Sequence, residues 1–146
     1  EFAPDLKDVV SKANLTPDKV ITLHTSRILE VAIMGFLPGL GYLTGVDDAL
    51  HLPRRSVPRT FVPQGSVGLA MDQTVIYPLN SPGGWNLIGR MPIPLFDQKR
   101  ENPILFSAGD QVSFYAVNAD KYEELAASCV DGNLPVCPEQ TDEAAL

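Results

Sequence analysis

A mainly β domain with helices at both ends is the fold class this sequence predicts, on three observations. Short apolar runs recur between residues 29 and 117, each bounded by Gly, Pro, Asn or Asp. The 13 Pro and 11 Gly among 146 residues are too many for a helical bundle and too few for a low-complexity chain. Helical spacing is confined to residues 4–28 and to a stretch after Asn118. Short strands joined by turns pack as a barrel or a sandwich. The length suits a single domain spanning 1–146, and a domain of this size buries roughly 68–70% of its unfolded surface. A core can form without staples.

The elements follow in order. Pro4-Asp5 opens a helix in which Leu6, Val9, Val10 and Ala13 share a face. Thr16-Pro17 reads as an N-cap followed by proline at the first helical position, where a missing N–H costs nothing. Val20, Ile21, Leu23 and His24 continue that second helix, with His24 a structural histidine among apolar neighbours. Val31, Ile33 and Gly35 alternate with Ala32, Met34 and Phe36 in an almost wholly apolar run, as expected of a strand covered on both faces. Gly35 to Gly45 holds four glycines without dinucleotide spacing, and reads as a tight, buried crossing of loops rather than a phosphate cradle. Further strands are expected at Val67–Ala70, Thr74–Tyr77, Trp85–Gly89 and Val112–Val117. Asn118 or Asp120 then caps a helix reaching about Ser128, and an acidic tail completes the 118–146 segment.

Charge narrows the function classes. The net charge is −7, but residues 51–100 carry six basic and two acidic side chains while residues 101–146 carry one basic and nine acidic. An acidic whole argues against nucleic acid as a partner, because nonspecific binding runs on phosphate neutralisation. A basic middle inside an acidic envelope instead suits a local site for a small anion. The longest uncharged run, Val31 to Val46, is sixteen residues and is interrupted by Pro38 and glycines, so no membrane partner is expected. The opening residues lack the basic start and apolar stretch of a signal peptide, which points to the cytoplasm. Asn14-Leu15-Thr16 is then a sequon in letters only. Cys129 and Cys137 read as reduced thiols, with a small-loop disulfide as the other arrangement. With two His and two Cys, no metal site is expected.

The chemistry-bearing residues lie in the β region. No Walker loop is present, and Gln64-Gly65-Ser66-Val67-Gly68 misses the first glycine of a nucleophile elbow, so Ser66 is not expected to be a nucleophile. Catalytic residues are not identifiable. Arg59, Ser66, Gln73, Tyr77, Ser81 and Arg90 recur between stretches that look buried, and buried polar groups need partners. Pooling them in one internal network or pocket is cheaper than burying each separately, so Arg59, Gln73, Tyr77 and Arg90 are expected around a shared cavity. Ser81-Pro82-Gly83-Gly84 places a rigid turn before Trp85, which is either a core plug or a pocket wall with anion-directed N–H groups.

These residues also carry a family resemblance. The segments Gly35–Gly45, Pro53-Arg54, Pro58–Gly68, Gln73–Pro78, Ser81–Trp85 and Ile88–Arg90, in that order, resemble the signature of the family of 5-oxoprolinase B subunits. That family is also called allophanate hydrolase subunit 1, and it includes the bacterial inhibitor of the sporulation histidine kinase. The likeness runs from residue 1 to about 117; Gly41 and Met91 depart from the usual pattern. It implies a cyclophilin-like β-barrel with the helices packed outside, corresponding to the family's C-terminal domain without its smaller N-terminal domain. The implied function is a non-autonomous part of an ATP-dependent cyclic-amide hydrolase, opening 5-oxoproline to glutamate with partners that resemble the A and C subunits of 5-oxoprolinase. ATP, with Mg, would be a cosubstrate rather than a tightly bound cofactor. In such a site Arg59 and Arg90 would hold phosphate or carboxylate, while Gln73, Tyr77 and Ser66 would hydrogen-bond an amide. The Gly83 and Gly84 backbone would supply further donors. The alternative is an interaction module that docks on a histidine kinase, marked by an exposed apolar patch. A peptidyl-prolyl isomerase would rest on barrel resemblance alone and ranks last.

Overall fold

The computed structural model describes residues 1–135. Helices α1 (Leu6–Ala13) and α2 (Pro17–Thr25) form as expected, and the Thr16 hydroxyl accepts the Lys19 amide at the start of α2. Strands follow as β1 (Ile28–Met34), β2 (Gly41–Thr44), β3 (Arg59–Val62), β4 (Ser66–Ala70), β5 (Gln73–Ile76), β6 (Ser81–Gly83), β7 (Asn86–Arg90) and β8 (Gln111–Ser113). Helix α3 (Ala119–Ser128) is capped by Asn118, whose side-chain oxygen accepts the Lys121 amide.

Six strands make one antiparallel sheet in the order β7-β4-β5-β2-β1-β8, and β3 pairs with β6 in a separate two-stranded ladder. The mainly β class is therefore right; among the described residues the sheet does not close, since β7 and β8 at its two ends are not paired with each other.

Two layers cover the sheet. On one face Leu29, Val31, Leu43 and Leu69 pack with Val9 of α1 and Val20 of α2. On the other, Ala70, Val75, Tyr77, Trp85 and Leu87 pack with Leu40 and with Val62 of β3. Successive side chains point to opposite faces, so β4 is buried along its whole length. The double cover expected of β1 belongs instead to β4 and β5. In β1 only Leu29 and Val31 are buried, and Ile33 is 62% exposed. The physical reason is position: β1 lies next to the edge strand β8, beyond the second layer.

The 35–45 segment is likewise corrected. It is the β1–β2 hairpin connection followed by β2, with Phe36 exposed at its tip rather than buried in a crossing. Cys129 donates to the Leu125 carbonyl at the end of α3; Cys137 and the acidic tail lie outside the described residues. No helix among the described residues is long and apolar enough to cross a membrane.

Candidate functional site

The site is built from the N-terminus inward. Asp5, just before α1, is 2% exposed, and its carboxylate accepts four hydrogen bonds. Arg59 donates two of 2.7 Å, Arg55 one of 2.5 Å and the Leu87 backbone amide one of 2.7 Å. Burial pushes the Asp5 carboxyl up, but the Arg59 hydrogen bond, the Leu87 amide and both guanidinium charges outweigh it and hold the pKa below its ordinary value. The Asp5 amide also donates to the Leu87 carbonyl. This knot fastens the helical layer to β7 and fixes the chain between Leu52 and Pro58.

That chain delivers Arg54 to a cavity. The Pro53 carbonyl accepts from buried Asn86 at 2.9 Å, and the Arg55 amide donates to the Gly84 carbonyl at 2.8 Å. Both backbone neighbours of Arg54 are thus pinned, and its guanidinium stands 5.6 Å from the centroid of the Trp85 ring. Below lies a cavity of about 160 Å³ whose polar groups come from Arg54, Tyr42, Tyr77 and the Pro82-Gly83-Gly84 backbone. Phe36, Leu40, Val75 and the Trp85 ring supply the apolar wall. Tyr42 and Trp85 meet at 6.0 Å between centroids, tilted by 50°.

Two glycines make this space. A Cβ on Gly68 would come within 2.9 Å of the Trp85 Cβ, so Trp85 can sit this close to β4 only beside a glycine. A Cβ on Gly83 would overlap the Tyr77 hydroxyl. Burial raises the Tyr77 pKa, opposed by a backbone hydrogen bond from Trp85 and by the Arg54 and Arg59 charges. Tyr77 is therefore a neutral phenol at physiological pH. Aromatic walls, one cation carried on a pinned backbone and phenol hydroxyls can hold a small anion; no lining side chain is a ready nucleophile.

The expected site residues divide. Tyr77, Gly83, Gly84 and Trp85 come together, and Trp85, 7% exposed, is both core plug and cavity wall. Ser81 opens the same turn, but its hydroxyl donates to the Pro82 carbonyl. Ser66 donates to the Pro63 carbonyl at 2.7 Å. Arg59 is committed to Asp5. Gln73 starts β5 opposite Thr44, four residues from Tyr77, or about 13 Å along an extended strand. Arg90 stacks 4.8 Å from Phe2, which packs on Tyr122, on the side of a second cavity of about 230 Å³ that Tyr77 also borders. The shared cavity expected for Arg59, Gln73, Tyr77 and Arg90 is thus corrected: only Tyr77 lines either space, because the other three are held by separate partners or at another end of the strand. Arg54 was absent from the expected set. Its signal was the rigid Pro53 beside a basic pair, too weak to separate Arg54 from Arg55.

His24 is structural, as expected. Thr74 donates its single hydroxyl proton to the Gly68 carbonyl at 2.9 Å, so His24 must donate its Nε2 proton to Thr74 across 3.0 Å. Burial lowers its pKa to about 4.

Both spaces are smaller than the roughly 300–1,000 Å³ usual for drug-sized ligands. No cluster of His, Cys, Asp and Glu suited to a metal occurs among the described residues.

The comparisons with known proteins bear on this same region. Residues 1–106 match the carboxyltransferase domain family, subdomains C and D, and so include every residue of the Arg54 cavity. The 5-oxoprolinase B subunit of Bacillus subtilis is 43% identical over 122 residues, covering 84% of this chain and 51% of that protein. That of Haemophilus influenzae is 47% identical over 114 residues, covering 78% and 54%. The chain spans about half the length of these curated relatives. Among solved structures, the conserved uncharacterized protein PH0987 from Pyrococcus horikoshii superposes with a TM-score of 0.80 at 40% identity, covering 84% of this chain and 56% of that one.

Proposed function

The chain belongs to the carboxyltransferase domain family, subdomains C and D, and on that premise we propose that it works as part of a 5-oxoprolinase. In this reading it is a non-autonomous cytoplasmic component of an ATP-dependent hydrolase that opens 5-oxoproline to glutamate. The observation that carries the reading is the 43% and 47% identity to two 5-oxoprolinase B subunits over a stretch that contains the whole cavity.

The chemistry divides between subunits. Opening a lactam requires its carbonyl to be polarised, its leaving nitrogen to be protonated and water to be activated. Tyr42 and Tyr77 border the cavity, and neutral Tyr77 can donate a hydrogen bond to an amide oxygen. Nothing in the lining activates water at neutral pH. The sequence has no Walker loop and the described residues hold no metal-suited cluster, so in this reading ATP and its Mg are held by a partner that resembles the C or the A subunit of 5-oxoprolinase. The supporting physical point is that an incomplete constellation loses most of the rate rather than a share of it.

Exposed Phe36, Val57 and Phe61 favour a second reading, docking on a helical partner such as a histidine kinase. One assay separates the two: glutamate release from 5-oxoproline and ATP by the chain alone, then with the A and C subunits added. The expected result is turnover only in the combination. Robust turnover by the chain alone would refute the divided site. No turnover in any combination, with tight binding to a histidine kinase, would favour the second reading.

A further inference from the structure

We propose that Arg54 is the carboxylate-recognition residue of the cavity, which takes a small amide bearing one carboxylate. This rests on the 5-oxoprolinase reading for the identity of the ligand, but the site itself is read from geometry. Of the four arginines between residues 54 and 90, Arg55 and Arg59 are held at the Asp5 carboxylate and Arg90 lies over Phe2, and none of these three lines either cavity. No acidic side chain among the described residues pairs with Arg54. Among those residues it is also the sole charged side chain lining either cavity.

Its placement is built rather than incidental. Asn86, 1% exposed, holds the carbonyl before Arg54, and Gly84 holds the amide after it. The Trp85 ring lies 5.6 Å from the guanidinium carbon and no acid among the described residues pairs with it, so its N–H groups can meet a carboxylate in the bidentate manner arginine favours. Size then selects the ligand. A cavity of about 160 Å³ is below the usual drug-sized range and suits one small ring.

Trp85 is the only tryptophan in the chain, so its fluorescence reports on the cavity directly. The test titrates the purified chain with 5-oxoproline, with 2-pyrrolidinone (the ring amide without the carboxylate) and with acetate (the carboxylate without the ring). The expected result is a saturable change with 5-oxoproline and at least tenfold weaker responses to the other two. Arg54→Gln should weaken 5-oxoproline at least tenfold while unfolding in urea at nearly the wild-type midpoint. Arg54→Lys, which keeps the charge but loses the planar fork, should fall between. No response to 5-oxoproline, equal binding of 2-pyrrolidinone, or undiminished binding by Arg54→Gln would each overturn the proposal. The reconstituted assay keeps the two readings apart. Full activity of Arg54→Gln with the A and C subunits at low substrate would sink the site and leave the 5-oxoprolinase reading standing. The expected fluorescence pattern without turnover in any combination would do the reverse.

Discussion

Arg54 and Arg55 are consecutive in the chain and meet opposite electrostatic fates. Arg55 turns inward to a carboxylate that is 2% exposed and shares it with Arg59. Arg54 turns outward over an indole and meets no acid among the described residues. One carboxylate offsets only one of the two positive charges, but it holds both guanidiniums in place at Asp5, and neither lines the cavity. Arg54 is the arginine that lines the cavity, with its backbone neighbours pinned and its side chain unpaired with any acid among the described residues. Structural work and ligand binding thus separate within one dipeptide.

The largest test of that contrast removes the shared acid. Asp5→Asn should destabilise the chain by about 3 kcal/mol, the low end of the ~3–5 kcal/mol for breaking a buried pair, because both guanidiniums keep some contact with water. The urea midpoint followed by Trp85 fluorescence measures it. A loss under about 1 kcal/mol, typical of surface pairs, would mean that Asp5 is no knot. The sign with pH also follows. Because the Asp5 pKa is depressed when folded, its contribution is complete above the ordinary value of 3.8 and is lost as pH falls through the folded value. Asp5→Asn should therefore flatten the acid limb.

Next in size is the cavity itself. Gly83→Ala drives a methyl group into the Tyr77 hydroxyl, an overpacking that costs typically ~1–3 kcal/mol. It should lower the thermal midpoint and abolish the Trp85 response to 5-oxoproline together.

A smaller effect comes from the opposite face. His24 has a folded pKa of about 4 against 6.5 unfolded, so its contribution is complete above pH 6.5 and declines as pH falls toward 4. Between pH 7.5 and 5.5 the loss should be about 1 kcal/mol. His24→Gln should remove that slope without touching the cavity; a slope that persists in the variant would assign it elsewhere. Smallest of all is Arg54→Gln, which should shift stability by no more than the ~0.5–1 kcal/mol of an exposed cation–π contact.

The helices and most strands were legible because their signals are local: Thr16-Pro17, Asn118 and alternating apolar residues act within a few positions. The layers were not. An apolar run reads the same whether one face or two are covered, so β1 was given the double cover that β4 and β5 possess. In the site, Tyr77, Gly83, Gly84 and Trp85 were legible because one short turn carries the last three back beside Tyr77. Arg59 was misread because its acid lies 54 positions upstream, and Asp5 looked only like the start of a helix. Sequence distance hides ion pairs, and an ion pair decides which arginine is available.

Arg59→Gln compared with Arg54→Gln in calorimetric titration of 5-oxoproline is the most direct test. Both variants are measured at a temperature where each is folded. Arg59→Gln should bind with nearly wild-type affinity despite its lower stability, and Arg54→Gln should bind at least tenfold more weakly despite its intact stability. The reverse pattern, with binding lost in Arg59→Gln and retained in Arg54→Gln, would contradict the division of labour between the two arginines.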